Sequence, residues 1–265
     1  MTVRSGFYAG ALLVAASFSA YAIEIRNDVP DSKYLVSASE LPALADLPVE
    51  GHGVLIAPQW VVTAGHAVRW QKSLNEVTIA GKPRKVEAIV YNPGFRDMPM
   101  SIEMGGMSGI FDFIQHRDDI ALVKLSEPVT DVAPLPLYRS EDELGKTAKI
   151  MGKGQTGNGL DGIPENASHR VALRRAYNVI TEAQGRWLAY RFDAPPKALP
   201  LEGMHGGGDS GGPVLIQQDG VWKLAGLSDH QNLGHRALGL YGAVAYDVRI
   251  SHYADWIQQT TASKK

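Results

Sequence analysis

Apolar residues in this chain come in short runs separated by turn residues. The runs are Gly53–Ile56, Trp60–Ala64, Glu76–Ile79, Val86–Tyr91 and Ile120–Leu125, then, after a proline-containing stretch at Pro128–Pro136, Ala148–Met151, Trp187–Phe192, Pro213–Ile216, Trp222–Leu227 and Tyr241–Val248. Runs of four to eight residues at this spacing, with no helical pattern between them, predict antiparallel strands and argue against βαβ units. The period lengthens only at the end of the chain. Ser251–Thr260 predicts a helix with Ser251 as N-cap and Tyr253, Trp256 and Ile257 on one face. One segment, Asn92–Gln115, shows neither pattern and reads as a long loop with four methionines between Met98 and Met107. A loop of that length is a functional candidate or an insertion without a special role.

Composition narrows the picture. The 28 glycines and 15 prolines among 265 residues suit many turns, and a 45% hydrophobic content supports a sizeable core. With 26 basic and 28 acidic side chains there is no charge argument for nucleic acid or an anionic membrane. The first 22 residues differ from the rest: Arg4 is the only charge, Phe7–Ala20 is apolar or small, and Ala20-Tyr21-Ala22 follows. This is the pattern of a cleaved export leader, too short to span a bilayer. It predicts a secreted or periplasmic protein starting at Ile23, with no membrane attachment once the leader is removed. The chain has no cysteine, so a disulfide framework is excluded and stability must come from the core.

Three segments carry candidate chemistry. Gly208-Asp209-Ser210-Gly211-Gly212-Pro213 sets a serine in a glycine-rich turn, where backbone N–H groups can approach a reacting carbonyl without a Cβ in the way. Trp60-Val61-Val62-Thr63-Ala64-Gly65-His66-Ala67 delivers a histidine straight off an apolar strand. Asp118-Asp119-Ile120-Ala121-Leu122 sets two aspartates before another. A serine nucleophile needs a base, and the base needs an orienting acid. Adjacent residues of an extended chain point to opposite faces, so only one of Asp118 and Asp119 can serve; Asp119 is favoured.

In the order His, Asp, Ser, these segments resemble the trypsin/chymotrypsin-like serine peptidase family. The resemblance extends to Gly53-Val54-Leu55-Ile56-Ala57-Pro58, to Gly152-x-Gly154-x-Thr156 and to Tyr253-Ala254-Asp255-Trp256-Ile257. It implies an all-β, chymotrypsin-like fold of two antiparallel six-stranded-type β-barrels with a C-terminal helix. The first barrel would span about 23–135, the second about 136–250 and the helix about 251–260. It implies that Ser210 is the nucleophile, that His66 is the general base and then acid, and that Asp119 holds the tautomer. The N–H groups of Gly208 and Ser210 would form the oxyanion hole. The implied function is a secreted endopeptidase acting on protein or peptide substrates without a cofactor. The alternative is a catalytically weak homologue that binds a protein partner through the same cleft. Oligomeric state is not legible.

Other pattern matches fail on context. Gly208-x-Ser210-x-Gly212 and His205-Gly206-Gly207-Gly208 also fit α/β-hydrolase motifs, but an elbow serine is followed by a helix and Pro213–Ile216 reads as a strand. Gly152-x-Gly154-x-x-Gly157 runs on into turn residues, with no helix to receive a pyrophosphate. His230 and His235 have no third ligand nearby in sequence, so no metal site is expected.

The chain also departs from the family. Ala67 and Gly206 stand where the family usually has cysteines. Met204, six before the serine, replaces the aspartate that selects Arg or Lys, which implies a non-basic preference, with His205 and Asp229 close by. Ser228 fits the substrate-binding strand, but Asp229 replaces the usual aromatic after it. The far pocket wall falls at Gly239, Gly242 or Ala245. By the resemblance, Asp209 would pair with a freed N-terminus, at Ile23 or at Ile25.

Overall fold

In the computed structural model, which describes residues 23–262 apart from 70, 72, 104–106, 165–166, 168–171 and 233–237, the apolar runs pair into two antiparallel systems. The expected leader lies outside the described residues. The described chain opens with β1 (Glu24–Ile25), which pairs with the distant Gly203–Met204.

Six strands then close a barrel: β2 (Leu44–Asp46), β3 (His52–Ala57), β4 (Trp60–Thr63), β5 (Glu76–Ile79), β6 (Lys82–Tyr91) and β7 (Ala121–Leu125). The order β2-β3-β4-β7-β6-β5 closes through Ala45 opposite Ile79, which leaves no free edge. Every residue of β4 is buried. This explains why its run is uniformly apolar rather than alternating.

The second system contains β8 (Thr147–Gly152), β9 (Arg174–Val179), β10 (Glu182–Gln184), β11 (Trp187–Arg191), β13 (Pro213–Gln218), β14 (Val221–Asn232) and β15 (Val244–Arg249), with β12 (Gly203–Met204) held apart on β1. These seven strands, in the order β10-β11-β15-β14-β13-β8-β9, curl into a half-barrel. The Pro128–Pro136 stretch runs along the first barrel, with Val129 N–H donating to Pro58 and Leu135 N–H to Leu55. It then enters the second, where Tyr138 N–H donates to Leu224.

Helices are few and short. α1 (Gly65–Arg69) follows β4, and α2 (Met100–Glu103) and α3 (Met107–Gln115) lie in the segment read as a loop. That reading is corrected. Ile110, Phe111, Phe113 and Ile114 recur at helical spacing, but the methionines and glycines before them obscure the period. α4 (Ile250–Ala262) seats Tyr253 and Ile257 in the first core, as their spacing predicts.

Ser251 is not the N-cap. It lies within α4, and its hydroxyl donates to Glu143 at 2.6 Å. Arg249 grips the same fully buried carboxylate through Nε and Nη2 at 3.0 and 2.8 Å. Removing the cation while keeping the buried anion leaves an uncompensated charge. Arg249→Ala is therefore expected to lower stability by about 3 kcal/mol, read from the midpoint of urea unfolding.

Candidate active site

Strand pairing brings the first two candidates together. Thr63, the last residue of β4, lies opposite Ala121, the first of β7. His66 is three residues beyond one and Asp119 two residues before the other, so both project from the same end of the barrel. Asp119 accepts from the His66 backbone N–H at 2.7 Å and lies 2.9 Å from ring Nδ1. The paired contact fixes both the ring plane and the tautomer, leaving Nε2 toward the second barrel. Asp118 points the other way, accepting from the Tyr253 hydroxyl at 2.8 Å and pairing with Arg186 at 3.1 Å. The two aspartates thus face opposite ways.

Ser210 sits between β12 and β13, its Oγ 2.8 Å from His66 Nε2. The turn is clamped from both barrels. His52 N–H donates to the Ser210 carbonyl at 2.8 Å and Gly51 N–H to Gly208 at 3.2 Å, while Gly211 and Ser228 bond backbone to backbone at 2.7 Å. Gly211 has φ +75° and faces the His52 carbonyl and Thr63 hydroxyl so closely that a Cβ has no room. Beneath the turn Asp209 is fully buried and accepts from the N–H groups of Gly154 and Gly206 at 2.6 and 2.9 Å. A side chain at Gly154 would run into that carboxylate. Among the described residues, the N–H groups of Gly208 and Ser210 donate to no acceptor.

The remaining sequence candidates lie behind the turn. Met204 is fully buried in the second core with Ile23 and Ile25. His205 and Ser228 are also buried. The His205 Nε2, Ser228 Oγ, Tyr190 hydroxyl and both Asp247 oxygens have no hydrogen-bond partner among the described residues, and His205 Nε2 lies 3.6 Å from Asp247. Burial pushes His205 down to about 4, only partly opposed by Asp209, so the ring is neutral at ordinary pH. Burial, reinforced by Asp229, pushes the Asp247 carboxyl well above the usual range. Of the far-wall alternatives, Ala245 lies on β15 opposite Tyr190 and Gln231, while Gly239 and Gly242 lie in the turn before it. Ile23 and Glu24 are fully buried, so a chain starting at Ile23 begins inside the second system.

Sequence reasoning missed three residues around this arrangement. Arg117 is buried and pairs with Asp119, its guanidinium 5.6 Å over the Phe95 ring. A signal was present, since Arg117 and Asp119 are two apart in an extended stretch and share a face. His52 lies with Nδ1 3.2 Å from Asp46 and Nε2 3.7 Å from Asp209, and Nε2 accepts the Lys153 N–H. Nothing in the sequence marked it. Asp229, noticed only as a departure beside the pocket, places Oδ2 3.7 Å from His66 Nδ1.

Burial opposes a charged His66, but Asp119 first and Asp229 after it hold the ring's pKa above the ordinary imidazole value. Burial would raise Asp119, yet His66 and Arg117 outweigh it and keep the carboxyl well below the usual range. Ligand-type atoms of His66, Asp119 and Asp229 lie within 4.8 Å of one another, but Arg117 already supplies the cation on Asp119. His230 is stacked on Tyr246, with centroids 5.1 Å apart; His235 lies outside the described residues.

Beside His66 opens a cleft of about 580 Å³, walled by Phe95, Met98, Ile110 and Ile114 from the 92–115 segment and by Arg117 and Asp229. Ser210, His66 and Asp119 thus meet between the two β systems, beside this cleft. The chain is 27% identical over 246 residues to the thrombin-like enzyme acutobin of Deinagkistrodon acutus, covering 90% of this chain and 86% of that protein. It is 27% identical over 221 residues to human kallikrein-11, covering 78% and 70%. The solved structure of neuropsin, a serine protease expressed in the limbic system of mouse brain, shares the fold with a TM-score of 0.65 at 18% identity, covering 86% of this chain and 98% of that one. The family model for trypsin matches residues 35–257, and the chain belongs to the trypsin family.

Proposed function

We propose that the protein is an exported serine endopeptidase in which Ser210 attacks the scissile carbonyl of a protein or peptide substrate. The observation that carries this reading is the continuous chain Asp119–His66–Ser210, with contacts of 2.9 and 2.8 Å. His66 Nε2 takes the Ser210 proton as the bond to the carbonyl forms, and Asp119 and Arg117 hold the resulting imidazolium and its counter-charge in place. The N–H groups of Gly208 and Ser210 receive the oxyanion. His66 then protonates the leaving amine, and water, deprotonated by the same ring, releases the acyl group from Ser210. The leader pattern in residues 1–22 supports export. For the residue before the scissile bond, buried Met204 and a neutral His205 offer no fixed negative charge, and burial disfavours the charged form of Asp247, which together favour uncharged over basic side chains.

A general base works only when unprotonated. Because the His66 pKa lies above the ordinary 6.5, activity should be lost as pH falls through a midpoint above that value. The experiment is a kcat/KM profile on a peptide library, with the P1 side chain varied. The expected result is hydrolysis with an acid limb above pH 6.5 and slower turnover of Arg and Lys substrates. Absence of hydrolysis across the library overturns the reading.

A further inference from the structure

We propose that Asp229 is a second positioning carboxylate for His66, held in place by the 92–115 segment through Gln115 and His230. The proposal rests on the catalytic reading above and adds a role for residues which that reading leaves idle.

The geometry is a relay of three contacts. Gln115, the last residue of α3, places its amide nitrogen 3.0 Å from His230 Nε2. The amide can only donate, so Nε2 is the acceptor and Nδ1 carries the proton. That Nδ1–H points at Asp229 Oδ1, 2.8 Å away. Asp229 is thereby satisfied on one oxygen, while Oδ2 is buried without a hydrogen-bond partner and lies 3.7 Å from His66 Nδ1. The His230 ring cannot swing away, because it stacks on Tyr246 and meets Trp187 edge-on at 5.1 Å. Each link fixes the next, in the way an outer-shell partner fixes a ligating histidine.

The site has an electrostatic reason for two carboxylates. His66 faces Asp119 and Asp229, and Arg117 lies on Asp119. The guanidinium drains part of the field that Asp119 would otherwise apply to the ring, and Asp229 restores it. When His66 takes the serine proton, the imidazolium lies between two anions and one cation, so the cluster is neutral overall. The other ionisable neighbours are His205, neutral because burial holds its pKa at about 4, and Asp247, whose carboxyl burial and Asp229 push up. Burial and Asp119 push Asp229 itself up, opposed by His230 and His66. The segment 92–115 is thus coupled to the base by hydrogen bonds, as well as walling the cleft.

Asp229→Asn keeps the shape and the acceptor for His230 but removes the charge, so a merely structural Asp229 would leave His66 unaffected. The test is an NMR titration of the His66 ring in full-length protein carrying Ser210→Ala, with and without Asp229→Asn. The expected result is a fall of about one pH unit in the His66 midpoint, and a smaller fall in the same direction for Gln115→Ala. In the protein with Ser210 intact, Asp229→Asn should lower kcat several-fold with little change in KM. An unchanged midpoint in a folded Asp229→Asn protein overturns the proposal. The titration needs no turnover, so it separates the two claims. Failure of the wild type to hydrolyse any substrate sinks the catalytic reading, whereas active wild type with an unmoved midpoint sinks this one alone.

Discussion

Replacing Ser210 with alanine is expected to lower turnover by ~10⁴-fold or more while leaving the fold intact. Ser210 Oγ is the atom that His66 Nε2 faces at 2.8 Å. The variant retains the N–H groups of Gly208 and Ser210 and the cleft, which together support a small residual rate. The serine side chain belongs to neither hydrophobic core, so its truncation removes little beyond the contact with His66 Nε2, and unfolding should shift by no more than about 1 kcal/mol. His66→Ala should cost a similar factor, and the double variant little more, since the two residues act as a unit. Turnover and urea midpoints on the same preparations check both halves of this expectation.

Asp209→Ala is expected to damage both stability and catalysis. Its carboxylate is fully buried, and it accepts two backbone N–H groups at 2.6 and 2.9 Å. Truncation orphans both donors and removes the anion 3.7 Å from His52 Nε2, itself buried between Asp46 and Asp209. Breaking a buried, hydrogen-bonded charge of this kind costs roughly 3–5 kcal/mol. The donors belong to Gly154 and Gly206, so the loss also frees the backbone that shapes the serine turn. Asp209→Asn should be milder, about 1–3 kcal/mol, because its amide can accept one N–H but sets a donor against the other. A urea midpoint for Asp209→Ala within 1 kcal/mol of wild type would mean that the turn is held by the inter-barrel backbone contacts alone.

The legible parts of this chain are those where local pattern and tertiary role coincide. β4, buried throughout, announces itself as Trp60-Val61-Val62-Thr63, and the pairing of its end with β7 makes His66 and Asp119 neighbours. β9 was invisible because Arg174-Arg175-Ala176-Tyr177-Asn178-Val179 carries its arginine into the interior. Arg174 is buried there against Asp31, far away in sequence, which grips it at 2.7 and 2.8 Å. β1 and β12 are two residues long and pair with each other across most of the chain, and β2 has only three residues.

The site follows the same rule. His66, Asp119 and Ser210 each sit in a distinctive local context. Asp229 and His52 acquire meaning only from what the fold packs against them, and Arg117 is marked in the sequence only by its spacing from Asp119. Asp229 drew notice only where an aromatic was expected. Its orientation depends on His230 and on Gln115 from a helix that the methionine-rich sequence concealed.

The reading proposed for this protein makes Ser210 a nucleophile activated by His66. Covalent labelling of the purified, full-length protein with a fluorophosphonate, followed by intact mass and peptide mapping, tests it most directly. One adduct is expected, on Ser210, forming faster as pH rises and absent from Ser210→Ala and His66→Ala. Folded, processed wild type that takes up no adduct, or takes it up equally after Ser210→Ala, would contradict it.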